Sequence, residues 1–201
     1  MLRFAVTALV ALLALPAAAG CLTAASIDQG VVFRRADGHS GSAIRKDGQI
    51  FIDYAAEEGV RIDLRQTRFG IYETAMTQLF SDEAAMGAGT ELFAQRFAGK
   101  LAEPVAGGGW RGEVRVHFDA DNPSIIEPLA QDWVWQADFS FLPEFSGTLS
   151  GCSYRVIPVE VRFRTASRVF DQRFVYFPEL GFGLESKRDG VTNKVMTLHA
   201  R

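Results

Sequence analysis

The 201 residues carry 21 basic and 24 acidic side chains, a formal charge of −3, with 48% hydrophobic residues and two cysteines. That is chain enough for one domain with a sizeable core and no need of metals or many crosslinks. Mild acidity argues against a nucleic-acid partner, which needs a basic surface, and beyond the N-terminus no stretch approaches the roughly 20 apolar residues of a transmembrane helix.

The chain opens like a secretory leader. Arg3 supplies a positive start, Phe4–Leu15 an uncharged stretch and Ala17-Ala18-Ala19 an A-x-A cleavage site, so residues 1–19 are read as a signal peptide and 20–201 as one β-rich exported domain. Cleavage removes one basic residue, leaving 20 against 24 acidic and a formal charge of −4. The stretch LPAAAGC, Leu15–Cys21, then admits two fates for Cys21. Ala19-Gly20-Cys21 partly fits a lipoprotein box, with Ala18 where Leu is usual, and would anchor the chain to a membrane. The other fate is a disulfide with Cys152, the only other thiol, favoured by export into an oxidising compartment. Such a bridge is worth about 4–5 kcal/mol in the chain-entropy model for a loop of more than about a hundred residues. The location expected is periplasmic, with a lipoprotein anchored through Cys21 as the alternative.

Turn signals follow at regular intervals, Asp37-Gly38, Asp47-Gly48 and Glu58-Gly59, the beat of an antiparallel meander. The segments GVVFRRA, SAIRK, QIFIDYA and VRIDLRQ between them have strand composition. Ile50, Ile52 and Tyr54 share one face; Val60, Ile62 and Leu64 oppose Arg61, Asp63 and Arg65, with the apolar set expected in the core and the charged set in water. Ser81–Leu101 is the one segment read as helical, with Thr90 as N-cap and Leu92, Phe93, Phe97 and Leu101 gathered on one side; a strand is the alternative reading of the same residues. Pro104 and the glycines Gly107-Gly108-Gly109 then make a loop; a phosphate cradle would want a helix after the glycines, and a strand follows instead.

That strand alternates Val114, Val116 and Phe118 against Arg115 and His117. Beyond the turn DADNPS, the segment DWVWQADFSFLPEF places Trp133, Trp135, Ala137, Phe139 and Phe141 on one face. In CSYRVIPVEVRFRT the buried parity switches at Pro158, which reads as a bulge. Further strands are expected in SRVFDQRFVYF, GFGLES and, after Asp189-Gly190, TNKVMTLHA. The fold class expected is mainly β: a curved antiparallel sheet, half-barrel or barrel, of about ten strands with one helical insertion.

Chemistry-bearing motifs are scarce. His39, His117 and His199 have no partner at metal-ligand spacing, no G-x-S-x-G elbow exists, and DGHSGS, Asp37–Ser42, reads as a hairpin loop. DADNPS lacks the Gly and terminal Glu of a calcium loop and reads as an Asx-rich turn. No cofactor and no metal are expected, and no enzymatic role. The late arginines Arg155, Arg162, Arg164, Arg168 and Arg173 share neighbouring strands, a solvated face that an anionic surface or acidic partner would also suit. The aromatic stripe serves either a core or the wall of an apolar cavity; Trp133, Trp135, Phe139 and Phe141 are the ligand-binding candidates.

The segment YFPELGFGLES, Tyr176–Ser186, resembles the late aromatic-Pro-Glu-Leu-Gly-apolar segment of exported proteins with the lipoprotein-carrier (LolA-like) half-barrel fold, over eleven residues. The resemblance implies a curved antiparallel sheet closed by helices over a cavity that holds acyl chains. This chain departs from it in showing a single helical segment, and no functional residue carries over. The function expected is a non-enzymatic cell-envelope protein that binds an apolar or lipid ligand. The alternative is a periplasmic interaction module with a filled core, a basic outer face and an envelope protein as partner.

Overall fold

Asp47 and Gly48 both adopt left-handed backbone, φ 51° and 72°, the geometry of a two-residue hairpin whose twist matches the flanking strands. Turns of this kind fold the chain into a continuous antiparallel meander. A computed structural model describes residues 20–57, 59–84, 87–121 and 129–201. The expected signal peptide, Glu58 of the third turn and the latter part of DADNPS lie outside the described residues.

One short helix, α1 (Ala24–Gln29), leads into the strands β1 (Val31–Arg35), β2 (Ser40–Lys46), β3 (Gln49–Glu57), β4 (Arg61–Arg68) and β5 (Tyr72–Phe80). They continue as β6 (Gly89–Phe97), β7 (Gly109–Asp121), β8 (Leu129–Phe141), β9 (Phe145–Leu149) and β10 (Cys152–Arg164). The last four are β11 (Val169–Phe177), β12 (Phe182–Arg188), β13 (Val191–Thr192) and β14 (Val195–Ala200). All belong to one curved, open antiparallel sheet ordered β13-β12-β11-β10-β8-β7-β6-β5-β4-β3-β2-β1-β14, with β9 paired to β10 alongside.

The fold class is as expected, with corrections in detail. Among the described residues there are fourteen strands, more than the ten or so expected. The helical segment expected within Ser81–Leu101 is a strand over Gly89–Phe97, and the helix lies instead at Ala24–Gln29. Phe93 and Phe97 explain the error: a spacing of four fits a helix turn and also an even strand repeat. The structure uses the even repeat, with Phe93 against Phe118 and Phe97 against Tyr72 and Trp110. The parity switch at Pro158 is not a bulge, since the β10–β11 ladder runs without a shift from Ile157 to Arg164. There β10 exchanges β9, paired up to Val156, for β8, paired from Val159. Cys152, Tyr154 and Val156 serve one hydrophobic cluster with α1, β1, β3 and β12; Ile157, Val159, Val161 and Phe163 serve a second with β7, β8 and Tyr72.

The sheet curls until its two edges approach. After β13, the two residues Asn193 and Lys194 bridge them: the Asn193 N–H donates to the Ser186 carbonyl on β12, and the Lys194 carbonyl accepts the Ala36 N–H beyond β1. A second tie crosses the interior, where the Gly183 N–H of β12 donates to the Phe69 carbonyl in the β4–β5 turn. The backbones approach so closely that a Cβ on Gly70 would sit 2.2 Å from the Gly183 carbonyl oxygen, so only glycine fits.

Cys21 and Cys152 form a disulfide, with Cα atoms 5.6 Å apart. Leu22 donates its N–H to the Tyr154 hydroxyl at 3.0 Å, so the start of the described chain is fastened to β10 by a covalent and a polar link. A paired Cys21 has no thiol to carry a lipid.

Strand β4 is the largest departure. Asp63 and Arg65 are 1% and 6% exposed, whereas Ile62 and Leu64 are 47% and 40% exposed: the charged face points inward and the apolar face outward. Register dictates this. Residues directly opposite in a ladder share a face, and Tyr54 pairs with Asp63, and Ile52 with Arg65. Once Ile52 and Tyr54 face inward, Asp63 and Arg65 must follow. Ile62, Leu64, Leu79 and Leu92 are left as an exposed apolar strip on the outer face of β4–β6.

Candidate functional site

Turning β4 inside out makes half of an interior wall polar. A cavity of about 680 Å³ opens inside the curl, within the range of pockets that enclose a single drug-sized molecule. Its two walls differ in chemistry. On β6, β8, β10 and β11 it is aromatic: Phe93, Trp133, Trp135, Phe163 and Phe170, with Trp135 edge-on to Phe163 at 6.2 Å. On β4, β5 and β12 it is charged: Arg61, Asp63, Arg65, Glu73, Glu185 and Arg188.

Arg65 is the hub of the charged wall. Its Nη1 donates to Glu185 Oε2 at 2.9 Å, its Nη2 to Asp63 Oδ2 at 3.2 Å and to the Tyr54 hydroxyl, and its guanidinium lies 4.8 Å from the Tyr54 ring centroid. Glu185 Oε2 also accepts from Arg188 Nε at 2.8 Å, Arg188 Nη2 at 2.6 Å and Gln172 Nε2 at 3.2 Å. Glu73 is shared between Arg65 at 3.5 Å and Arg188 at 3.7 Å. Arg61 Nε and Arg65 Nε stand 3.3 and 3.5 Å from carboxylate oxygens of Asp63 and Glu73 without hydrogen-bond alignment, so these buried N–H groups are held by charge alone.

Burial would raise the pKa of Glu185, but Arg65 and Arg188 override it and hold the carboxyl at about 2. Asp63 is likewise pulled below its ordinary value, its burial outweighed by Arg65, Gln78 and Arg61. Tyr54 goes the other way: loss of solvent pushes its phenol up to about 12. At neutral pH Asp63 and Glu185 are therefore ionised, with Tyr54 a neutral hydroxyl.

The four ligand-binding candidates divide. Trp133 and Trp135 line the cavity. Phe139 and Phe141 are packed in the second hydrophobic cluster, Phe139 against Tyr72, Trp110 and Phe163, and do not reach it. Of the histidines, His39 sits at the cavity beside Arg35 and Asp37 in the β1–β2 hairpin, His117 meets Asp132 at 2.9 Å on the outer surface, and His199 is exposed on β14. Among the described residues no three His, Cys, Asp or Glu side chains come together as a metal-holding group.

No protein-family model, curated protein or solved structure matches this chain. Function is read from the cavity itself.

The late arginines do not form one open cationic face. Arg155 is paired with Glu144 and Glu179, Arg162 with Asp171, and Arg173 with Glu160. Arg168 instead lines the cavity. Sequence reading missed the charged wall because alternation in VRIDLRQ separates two faces without saying which is inside. Three polar residues at every second position, Arg61, Asp63 and Arg65, carry charges of both signs, and mutual pairing within one strand was the available signal.

Proposed function

We propose that the protein is a non-enzymatic binder of an apolar or lipid ligand, held in the cavity of the curled sheet and working in the cell envelope. The observation that carries this is the pairing of an aromatic wall, which includes Trp133 and Trp135, with a fixed polar wall around one open-mouthed cavity. A pocket with an apolar body and a few placed polar groups is the usual design for a small-molecule site. The disulfide accords with an oxidising, periplasmic location. Among the described residues no helix is long and apolar enough to cross a membrane.

Native mass spectrometry of protein purified gently from its own cells tests the reading. A co-purifying small mass that is lost from the Trp133→Ala/Trp135→Ala variant is the expected result. A bare polypeptide mass, together with no binding of any added amphiphile, would overturn it.

The alternative, an interaction module, draws its support from the outer strip Ile62, Leu64, Leu79 and Leu92. An exposed apolar cluster on a sheet face suits a protein partner. The basic face first considered for that role is largely neutralised by its own carboxylates.

A further inference from the structure

The head group such a ligand carries can be read from the state of the polar wall, an inference that rests on the ligand-binding reading above. Four carboxylates line the cavity, Asp37, Asp63, Glu73 and Glu185, against five guanidiniums, Arg35, Arg61, Arg65, Arg168 and Arg188. Each carboxylate already lies within ion-pair distance of at least one guanidinium: Asp37 with Arg35 at 2.7 Å, Asp63 with Arg65 at 3.2 Å, Glu73 with Arg65 at 3.5 Å and Glu185 with Arg188 at 2.6 Å. The three deeper acids also accept an amide N–H apiece, Asp63 from Gln78, Glu73 from Gln95 and Glu185 from Gln172. Each of the four acids is thus charge-paired, with the Glu185 hydrogen bonds all gathered on Oε2.

The guanidiniums keep donors and charge to spare. A guanidinium presents five N–H groups; Arg188 spends Nε and Nη2 on Glu185, and its Nη1 makes no hydrogen bond among the described residues. Arg168 has no carboxylate partner among the described residues. The two lie on the same side of the cavity, since the Arg188 guanidinium is 5.6 Å from the ring of Phe170, two residues on from Arg168, which immediately precedes β11. An aromatic cage beside acidic residues would suit a cationic head, but here every lining acid is already paired and the lining guanidiniums outnumber the lining carboxylates by five to four.

We infer that the cavity takes a single-chain amphiphile with an anionic head, its apolar body against Trp133 and Trp135 and its head toward Arg168 and Arg188. The volume supports one chain, being that of a pocket for a single drug-sized molecule.

The test is a titration of the full exported domain with three probes of one chain length, dodecanoate, dodecanol and dodecyltrimethylammonium, followed by tryptophan fluorescence and calorimetry. Dodecanoate is expected to bind at least tenfold tighter than the other two, with affinity falling as salt is added. Arg168→Gln removes an exposed side chain without an ion-pair partner among the described residues, and is expected to weaken dodecanoate at least threefold while leaving dodecanol unchanged. Equal binding of dodecanoate and dodecanol, or tighter binding of the ammonium, would overturn the anionic head and leave the cavity reading standing. Binding of none of the three would overturn both.

Discussion

Arg65 and Glu185, 120 residues apart in the chain, meet at 2.9 Å on the inner wall of the sheet, each side chain almost wholly withdrawn from solvent. The contact joins β4 to β12 across the interior, where neither strand is the other's ladder partner. Removing one member of a buried pair leaves the other charge uncompensated, at a cost of about 3–5 kcal/mol. Glu185→Gln is expected to lower stability by about 3 kcal/mol in urea denaturation at pH 7. The pH dependence has a definite sign. Folded Glu185 titrates at about 2 against an ordinary value of 4.5, so its contribution is complete above about pH 5 and is lost as pH falls toward 2. Wild type should lose stability over that window more steeply than Glu185→Gln; parallel curves would show that the pair does not hold the carboxyl down.

The Cys21–Cys152 bridge spans 131 residues, and the chain-entropy model assigns a loop of that length about 5 kcal/mol, less any strain. Cys21→Ser/Cys152→Ser is expected to unfold at markedly lower urea with the midpoint no longer sensitive to reductant. A midpoint within error of wild type would mean that α1 and the Leu22–Tyr154 bond hold the terminus unaided.

The inverted β4 predicts opposite outcomes for two aliphatic residues that composition treats alike. Leu64→Ala removes an outward side chain and is expected to change stability by about 0.5 kcal/mol or less, whereas Ile52→Ala opens a cavity in the core and costs about 2–4 kcal/mol. Equal costs in chemical denaturation would place Leu64 inside and overturn the register of β3 on β4.

Gly70 and Gly99 share a left-handed backbone, φ 72° and 74°, but only Gly70 is crowded, its notional Cβ 2.2 Å from Gly183. Gly99→Ala should cost about 1 kcal/mol from backbone strain alone. Gly70→Ala adds overpacking and should cost about 2 kcal/mol more. Thermal denaturation of the two variants side by side measures the difference.

The aromatic stripe of β8 should separate by function. Phe139→Ala is expected to cost about 3–5 kcal/mol as a core truncation. Trp133→Ala and Trp135→Ala should leave the fold closer to wild type and reduce affinity for an amphiphilic probe at least tenfold. A Phe139 variant that folds well but fails to bind, with tryptophan variants that bind normally, would move the site deeper into the sheet.

Much of the fold was legible because period-two alternation and Asp-Gly turns are local signals: Ile50, Ile52 and Tyr54 are inward, and the turns at Asp37, Asp47 and Asp189 stand where expected. Two kinds of information were not local. Which face of β4 is buried depends on its register with β3, and which residues of the β8 stripe meet open space depends on curvature, so Trp133 and Phe139 look alike in sequence and differ in place. Glu185 and Arg65 lie too far apart in the chain for either to announce the other. The helix misassigned at Phe93 and Phe97 failed for a simpler reason, a spacing common to both periods.

The pairing of Val31 with Ala200 and Phe33 with Leu198 closes the first strand against the last. A chain made from its N-terminus onward therefore presents β1 with a bare hydrogen-bonding edge until β14 is added, so this side of the sheet is completed late. Any truncation that deletes β14 would leave that edge permanently available for self-association, in a protein whose cavity lining is otherwise present.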